Sequence, residues 1–190
     1  MIDTFSSNSL KLLEKSTDEF KARYADNLYL FKTDSRAVLG QKFHSLICAY
    51  IKGFDIEKFE KSLNDNELNN WITLKEKLKN KKENFIKTEY PFLIKNMLND
   101  KAYYLTGRFD AIYKDDKDYT IYDWKTLNLP KNPECDMQSI VYLYCAGEIF
   151  KTNKIKMKYL SIEKQTAIEI NYKNAELYKG KIEAIISKIL

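Results

Sequence analysis

Gly107-Arg108-Phe109-Asp110-Ala111-Ile112-Tyr113, then a polar turn, then Ile121-Tyr122-Asp123-Trp124-Lys125-Thr126: this stretch decides how the chain folds. Both arms alternate apolar with polar residues and are rich in aromatic and β-branched side chains, the signature of half-buried strands. Between them, Asp115-Asp116-Lys117-Asp118 is a run of turn formers. If those four residues make the loop, the arms pair antiparallel with Asp110 directly opposite Asp123. Their Cβ atoms then stand about 5 Å apart, a like-charge pairing that ordinarily weakens a sheet. A cation between the carboxylates removes that penalty. Lys125 points from the same face toward the same spot, because side chains two apart on a strand share a face. Two acids and one base at a strand end outline a metal-assisted hydrolysis site.

Outward from this hairpin, the pattern upstream is helical. Residues Ser7 to about Tyr24 read as a helix capped by Ser6 or Ser7. Asp34 or Ser35 caps a second helix through Lys52, with Leu39, Phe43, Leu46, Ile47, Tyr50 and Ile51 as its apolar stripe. Two shorter helices follow, near Ile56 to Asn64 and Glu67 to Lys79, and Phe85 to Met97 reads as extended around Pro91. Downstream, the loop Leu129-Pro130-Lys131-Asn132-Pro133 leads into a helix from about Cys135 to Phe150. Ile155 to Ile162 and Ala167 to Tyr172 are two more strands, and Asn174 caps a closing helix through Ile189. The order predicts a mixed α/β fold: a central mixed sheet of about five strands with helices packed on it. The 190 residues predict one domain, with a mainly helical part over 1–84 and the core over 85–190.

Composition narrows the function. The chain is 44% hydrophobic and 31% charged, with few Gly and Pro, as in globular proteins. Its net charge of +5 has the sign that suits a polyanionic partner, but is modest. Cys48, Cys135 and Cys145 are odd in number and widely spaced, with no C-x-x-C pair, which argues against a disulfide framework or a zinc site. A reducing compartment follows. No apolar run reaches the roughly 18 residues of a membrane span, and Met1 to Lys15 lacks the apolar centre of a signal peptide. The expectation is a cytoplasmic protein with no membrane partner. The G-x-x-x-x-G-K-[ST] loop of an ATPase motor is absent. A Ser-His-Asp hydrolase would have to use His44, the single histidine, and no G-x-S-x-G turn is present.

Four elements in order resemble the RecB-like exonuclease branch of the PD-(D/E)XK nucleases, the group that includes the nuclease subunits of AddAB and a CRISPR-adaptation exonuclease. Gly107-Arg108-Phe109-Asp110 with Asp123-Trp124-Lys125-Thr126 is similar to the branch's G-x-x-D and D-x-K patterns. Gln138-Ser139-Ile140-Val141-Tyr142 resembles its Q-x-x-x-Y helix motif, and Leu39-Gly40-Gln41-Lys42-Phe43-His44 the helix that supplies a histidine ligand. Phe5-Ser6-Ser7-Asn8-Ser9-Leu10 through Phe20 is similar to its N-terminal helix. D-x-K alone is common by chance; the ordered set is specific.

The resemblance implies a restriction-endonuclease-like core that hydrolyses DNA phosphodiester bonds, as an exonuclease on DNA ends or single strands in repair or recombination. A helicase or recombination partner goes with it. Asp110 and Asp123 would bind one or two Mg²⁺ or Mn²⁺ ions as hard oxygen ligands. His44, the Trp124 carbonyl and Glu89 are implied as further ligands, and an imidazole in the set favours Mn²⁺ at least as well as Mg²⁺. Lys125 would sit by the attacking water, as its base or as its orienting cation. Gln138 and Tyr142, at i and i+4, share a helix face; the resemblance implies hydrogen bonds from them to the active-site lysine region and the substrate backbone, with Thr126 as a further substrate contact. Each has a plainer reading: His44 as a structural histidine, Glu89 as an edge-strand carboxylate, Tyr142 as a core aromatic with a satisfied hydroxyl. The lysine runs Lys75 to Lys82 and Lys151 to Lys158 read more readily as solvated faces than as phosphate tracks. Many relatives hold an iron–sulfur cluster on four cysteines, the first in a C-P pair; Ser16-Thr17 stands in that place, so no cluster is expected. The alternative function is a catalytically silent nucleic-acid- or partner-binding module on the same fold.

Overall fold

The quoted hairpin sits at the centre of the sheet in the computed structural model, which describes residues 2–26, 28 and 35–190, with 35 and 36 described by backbone alone. The chain runs β1 (Thr4–Phe5), α1 (Ser7–Lys15), α2 (Thr17–Tyr24), α3 (Ser35–Lys52), α4 (Glu57–Glu60), α5 (Asp65–Lys79), β2 (Phe85–Leu98), β3 (Lys101–Asp115) and β4 (Asp118–Lys125). It then continues through α6 (Met137–Phe150), β5 (Ile155–Ser161), β6 (Ala167–Asn171) and α7 (Ala175–Ile186). The result is a mixed α/β fold in which, among the described residues, seven helices flank a six-stranded mixed sheet. Long β3 pairs antiparallel with β2 and with β4, while β1 lies parallel to it at Tyr104 and Leu105. Beyond β4 come parallel β5 and antiparallel β6.

Local chemistry explains the element ends, including three that differ from the sequence expectation. The segment 7–24 is two helices: Ser16, extended at φ −157°, ends α1 and caps α2 by accepting the Glu19 N–H at 3.2 Å. Periodicity runs through such a break because hydroxyl capping competes with the helix only locally. The hairpin loop is two residues, with Asp115 paired to Asp118 and Asp116 at φ 50°. Trimming one residue from each side of the turn leaves the register unchanged. A sixth strand, β1, was not legible: two residues are too few to show alternation, although Phe5 is fully buried. Asn174 does cap the closing helix, accepting the Glu176 N–H at 2.7 Å. The candidate cap Asp34 lies outside the described residues.

Two cores sandwich the sheet. Leu10 and Leu13 of α1, Phe20 of α2, the α6 side chains and Ile182 and Ile186 of α7 pack on one face. Phe43, Leu46 and Ile47 of α3 with Trp71, Leu74 and Leu78 of α5 pack on the other. Alternation inverts partway along β3. Tyr103, Leu105 and Phe109 belong to the first core, whereas Ala111 belongs to the second and Ile112 to the first. The rung at which the faces exchange is Asp110. No helix among the described residues is long and apolar enough to cross a membrane.

Gly107 has a steric reason. Its strand partner is Phe92, and a Cβ at 107 would stand 2.5 Å from the Phe92 Cζ. That ring is held against Phe109 at 4.6 Å and edge-on to Tyr142 at 5.7 Å between centroids. Gly107→Ala is therefore expected to cost about 1–3 kcal/mol of overpacking, lowering Tm by roughly 5 °C in thermal denaturation. Adding Phe92→Leu should recover most of the loss; an unchanged Tm in the single variant would show that the ring yields freely.

Candidate metal centre

The site begins where β3 and β4 part. Their last rung is Ala111 with Tyr122, so the next step sets Asp110 opposite Asp123. There the ladder is taken over by a side chain: Asp110 Oδ2 accepts the Trp124 N–H at 2.8 Å. On the other side of β3, Glu89 falls opposite Asp110, between the rungs Thr88–Ala111 and Tyr90–Phe109. Glu89, Asp110 and Asp123 thus occupy one row across three adjacent strands. Glu89 has φ 51°, a left-handed backbone in mid-strand. For a residue with a Cβ this costs on the order of 1 kcal/mol and persists where the surroundings impose it. The Glu89 carboxylate is held by Arg108, whose Nε donates to Oε2 at 2.8 Å.

Helix α3 brings His44 over this row. Its Nε2 lies 2.9 Å from the Trp124 carbonyl. A carbonyl only accepts, so Nε2 carries the hydrogen and Nδ1 faces Asp110 Oδ1 at 3.4 Å and Glu89 Oε1 at 3.9 Å. Histidines that bind metals are oriented in this way, by donating the second ring N–H to a carbonyl or carboxylate. Burial alone would lower the His44 pKa, but the hydrogen bond and charge of Asp110, the Trp124 carbonyl and the charge of Asp123 outweigh it and raise it. Gly40, one turn earlier, permits the approach, since a Cβ there would stand 3.2 Å from Thr126 Oγ1 at the strand end.

His44, Glu89 and Asp110 offer ligand atoms that all lie within 4.8 Å of one another. Around an ion with bonds of about 2.1 Å, opposed ligands are about 4.2 Å apart, so a small side-chain adjustment suffices. Two carboxylates and an imidazole are a donor set for Mg²⁺ or Mn²⁺. The sequence reading sets an ion between Asp110 and Asp123. The structure brings Asp110 together with His44 and Glu89, both implied as further ligands, and sets Asp123, on the next strand, against Lys125 and Gln138. The Trp124 carbonyl, implied as a further ligand, is here within hydrogen-bonding distance of His44 Nε2.

Asp123 is buried, its side chain 3% exposed. Oδ1 accepts from Gln138 Nε2. Oδ2 lies 2.8 Å from Lys125 Nζ but has no donor at a hydrogen-bonding angle. Burial pushes the carboxyl up to about 6; the Lys125 ammonium works against this and the Asp110 charge adds to it. A buried carboxylate oxygen without a proper donor is rare in folded proteins, and is the kind of group a cation satisfies. Gln138 bridges the pair, its Oε1 accepting from Lys125 Nζ at 2.8 Å. Its helix start is fixed by Asp136, which caps the Gln138 N–H at 2.8 Å and pairs with Lys11 at 2.9 Å. Tyr142, one turn on, donates its hydroxyl to the Arg108 carbonyl at 2.9 Å and packs on Phe109. Burial pushes its phenol up, so Tyr142 tethers the Asp110 strand as a neutral group. Arg108, Asp136 and Lys11 were not singled out from sequence. Arg108 alone had a signal there, its outward place in the alternation beside Asp110.

The fold and this strand-end cluster define the class: a restriction-endonuclease-like α/β protein with a candidate divalent-cation site. The chain matches the family model of the PD-(D/E)XK nuclease superfamily over residues 4–188, and it belongs to that superfamily, whose members are generally metal-dependent nucleases. A solved structure described as "Crystal structure of SSO0001" is similar at a TM-score of 0.53 and 19% identity, covering 98% of this chain and 74% of that one. At that identity the likeness speaks for the fold. Among curated proteins, nothing matches the chain.

Proposed function

We propose that this chain is a metal-dependent deoxyribonuclease of the RecB-like exonuclease branch, working on DNA ends or single strands in repair or recombination beside a helicase or recombination partner. The observation that carries the reading is the convergence of His44, Glu89 and Asp110 within 4.8 Å, beside the Asp123–Lys125–Gln138 network. A divalent ion bound there would polarise the scissile phosphate and make a bound water a better nucleophile. The chain's own residues do the rest. The Trp124 carbonyl holds the His44 tautomer, and Gln138 holds the Lys125 ammonium. That ammonium then orients the attacking water and offsets charge developing on the phosphate oxygens; in the neutral amine form Lys125 would instead take the water's proton.

The lysine runs support their plainer reading. Lys75 pairs with Glu60 at 2.9 Å, Lys79 with Glu76 at 3.9 Å, and Lys156 and Lys158 with Glu169 at 3.2 and 3.9 Å.

The test is a degradation assay on end-labelled single- and double-stranded DNA and RNA with Mn²⁺, Mg²⁺ or EDTA. DNA is expected to shorten from its ends with Mn²⁺ and to persist in EDTA. Binding without cleavage under any metal would instead make the chain a silent nucleic-acid-binding module. Ion binding has its own readout. Mn²⁺ at about 100 times its Kd adds about 2.7 kcal/mol of stability, roughly 5–10 °C in Tm at this chain length. His44→Ala should abolish most of that rise.

A further inference from the structure

A cleft of about 640 Å³ opens beside the cluster, and its lining joins His44, Glu89 and Arg108 to Gln41, Phe54 and Phe59. Its size lies within the range of about 300–1,000 Å³ typical of small-ligand sites. The two phenylalanines are the informative part. Phe54 is 65% exposed and Phe59 41%. Phe54 follows the end of α3, where Gly53 at φ 78° donates to the Tyr50 carbonyl and Phe54 to the Ala49 carbonyl, at 3.1 and 3.0 Å. This is the left-handed glycine cap in which the residue after the glycine usually folds back onto the helix. Here that residue is a phenylalanine whose ring is left largely in solvent.

The frame under both rings is firm. Glu60, next to Phe59, accepts from Trp71 Nε1 at 2.7 Å and Lys75 Nζ at 2.9 Å, tying α4 to α5. Lys42 of α3 reaches the Ser62 carbonyl at 2.8 Å and Glu67 at 2.7 Å. Both rings line the cleft and leave a large part of their apolar surface in solvent. Arg108, in the same lining, is 60% exposed; among the described residues only its Nε is engaged, by Glu89, which leaves its terminal N–H groups for a phosphate.

We infer that this cleft receives an unpaired nucleobase of a nucleic-acid strand, stacked on Phe54 and Phe59, with a neighbouring phosphate on Arg108. The inference rests on the nuclease reading and narrows its substrate. A base inside a duplex has both faces occupied by its neighbours, so only an unpaired or extruded base can stack on a side chain. The apolar rings and the cation line one cleft, as the two ends of a nucleotide require. Stacking reads no base edge, so the preference is for single strands over duplexes and not for a sequence.

The test measures binding of a fluorescent single-stranded oligonucleotide and of its blunt duplex to the full chain in EDTA. Phe54→Ala/Phe59→Ala is expected to weaken single-strand binding at least about tenfold, the ~1.4 kcal/mol within reach of one base–aromatic stack, and to change duplex binding less than about twofold. Phe54→Trp should retain wild-type affinity. Both positions are exposed, so Tm should hold. Unchanged single-strand affinity, or an equal loss for duplex and single strand, overturns the inference. The two readings fail separately. Wild-type cleavage of DNA with unchanged binding in the double variant removes the stacking cleft alone. No wild-type cleavage, with single-strand binding lost in the double variant, removes the nuclease reading alone.

Discussion

Asp110→Asn is expected to lower Mn²⁺-dependent cleavage by at least about 10²–10³-fold, the range for deleting one preorganised electrostatic group, while leaving Tm near wild type. The choice of asparagine follows from the geometry. Asp110 has two tasks on two oxygens: Oδ1 faces His44 Nδ1 at 3.4 Å, and Oδ2 accepts the Trp124 N–H at 2.8 Å. Asparagine keeps one oxygen for the N–H and removes the charge. Asp110→Ala removes both and strands a buried N–H, costing about 1–3 kcal/mol. Both variants should show at least that fall in cleavage and should lose the Mn²⁺-induced rise in Tm. Only the alanine variant should melt earlier without metal. An asparagine variant that cleaves like the wild type would take Asp110 out of the ion site.

The hairpin was legible because its information is redundant. Alternation, aromatic content and turn formers agree, and a symmetric error in loop length leaves Asp110 facing Asp123. What periodicity could not show was the exchange of faces at Asp110, since it depends on a left-handed Glu89 that no pattern of side-chain types announces. At that rung Asp110 joins His44 and Glu89, while Asp123, opposite it, is held by Lys125 and Gln138. Gln138 and Tyr142 were readable as sharing a helix face turned to the lysine region, and Gln138 does accept from Lys125; the amide's second bond to Asp123 and the hydroxyl spent on Arg108 depend on how α6 packs over β3 and β4. For His44, the stripe gave a side of α3, and the resemblance gave a ligand role. The carbonyl that fixes its tautomer belongs to a residue 80 positions away, beyond the reach of local patterning.

Lys125→Ala separates chemistry from ion binding most sharply. Lys125 lies outside the three-residue cluster, so the variant should keep the Mn²⁺-induced rise in Tm while cleavage falls about 10²–10⁴-fold, the range for a proton-transfer group. It should also melt earlier without metal. Lys125 Nζ stands 2.8 Å from Asp123 Oδ2, and removing it leaves a buried carboxylate with only the Gln138 amide. Deleting one partner of a fully buried ion pair costs about 3–5 kcal/mol; Lys125 is 29% exposed, so water offsets part of that cost. If the lost stability comes from the uncompensated carboxylate, then Lys125→Ala/Asp123→Asn should be more stable without metal than Lys125→Ala, a non-additivity expected of residues in contact, and should remain inactive. Wild-type cleavage by Lys125→Ala would remove the lysine from the reaction. Loss of the Mn²⁺ response together with cleavage would make it a scaffold for the ion site, and the proton-handling role would pass to another group.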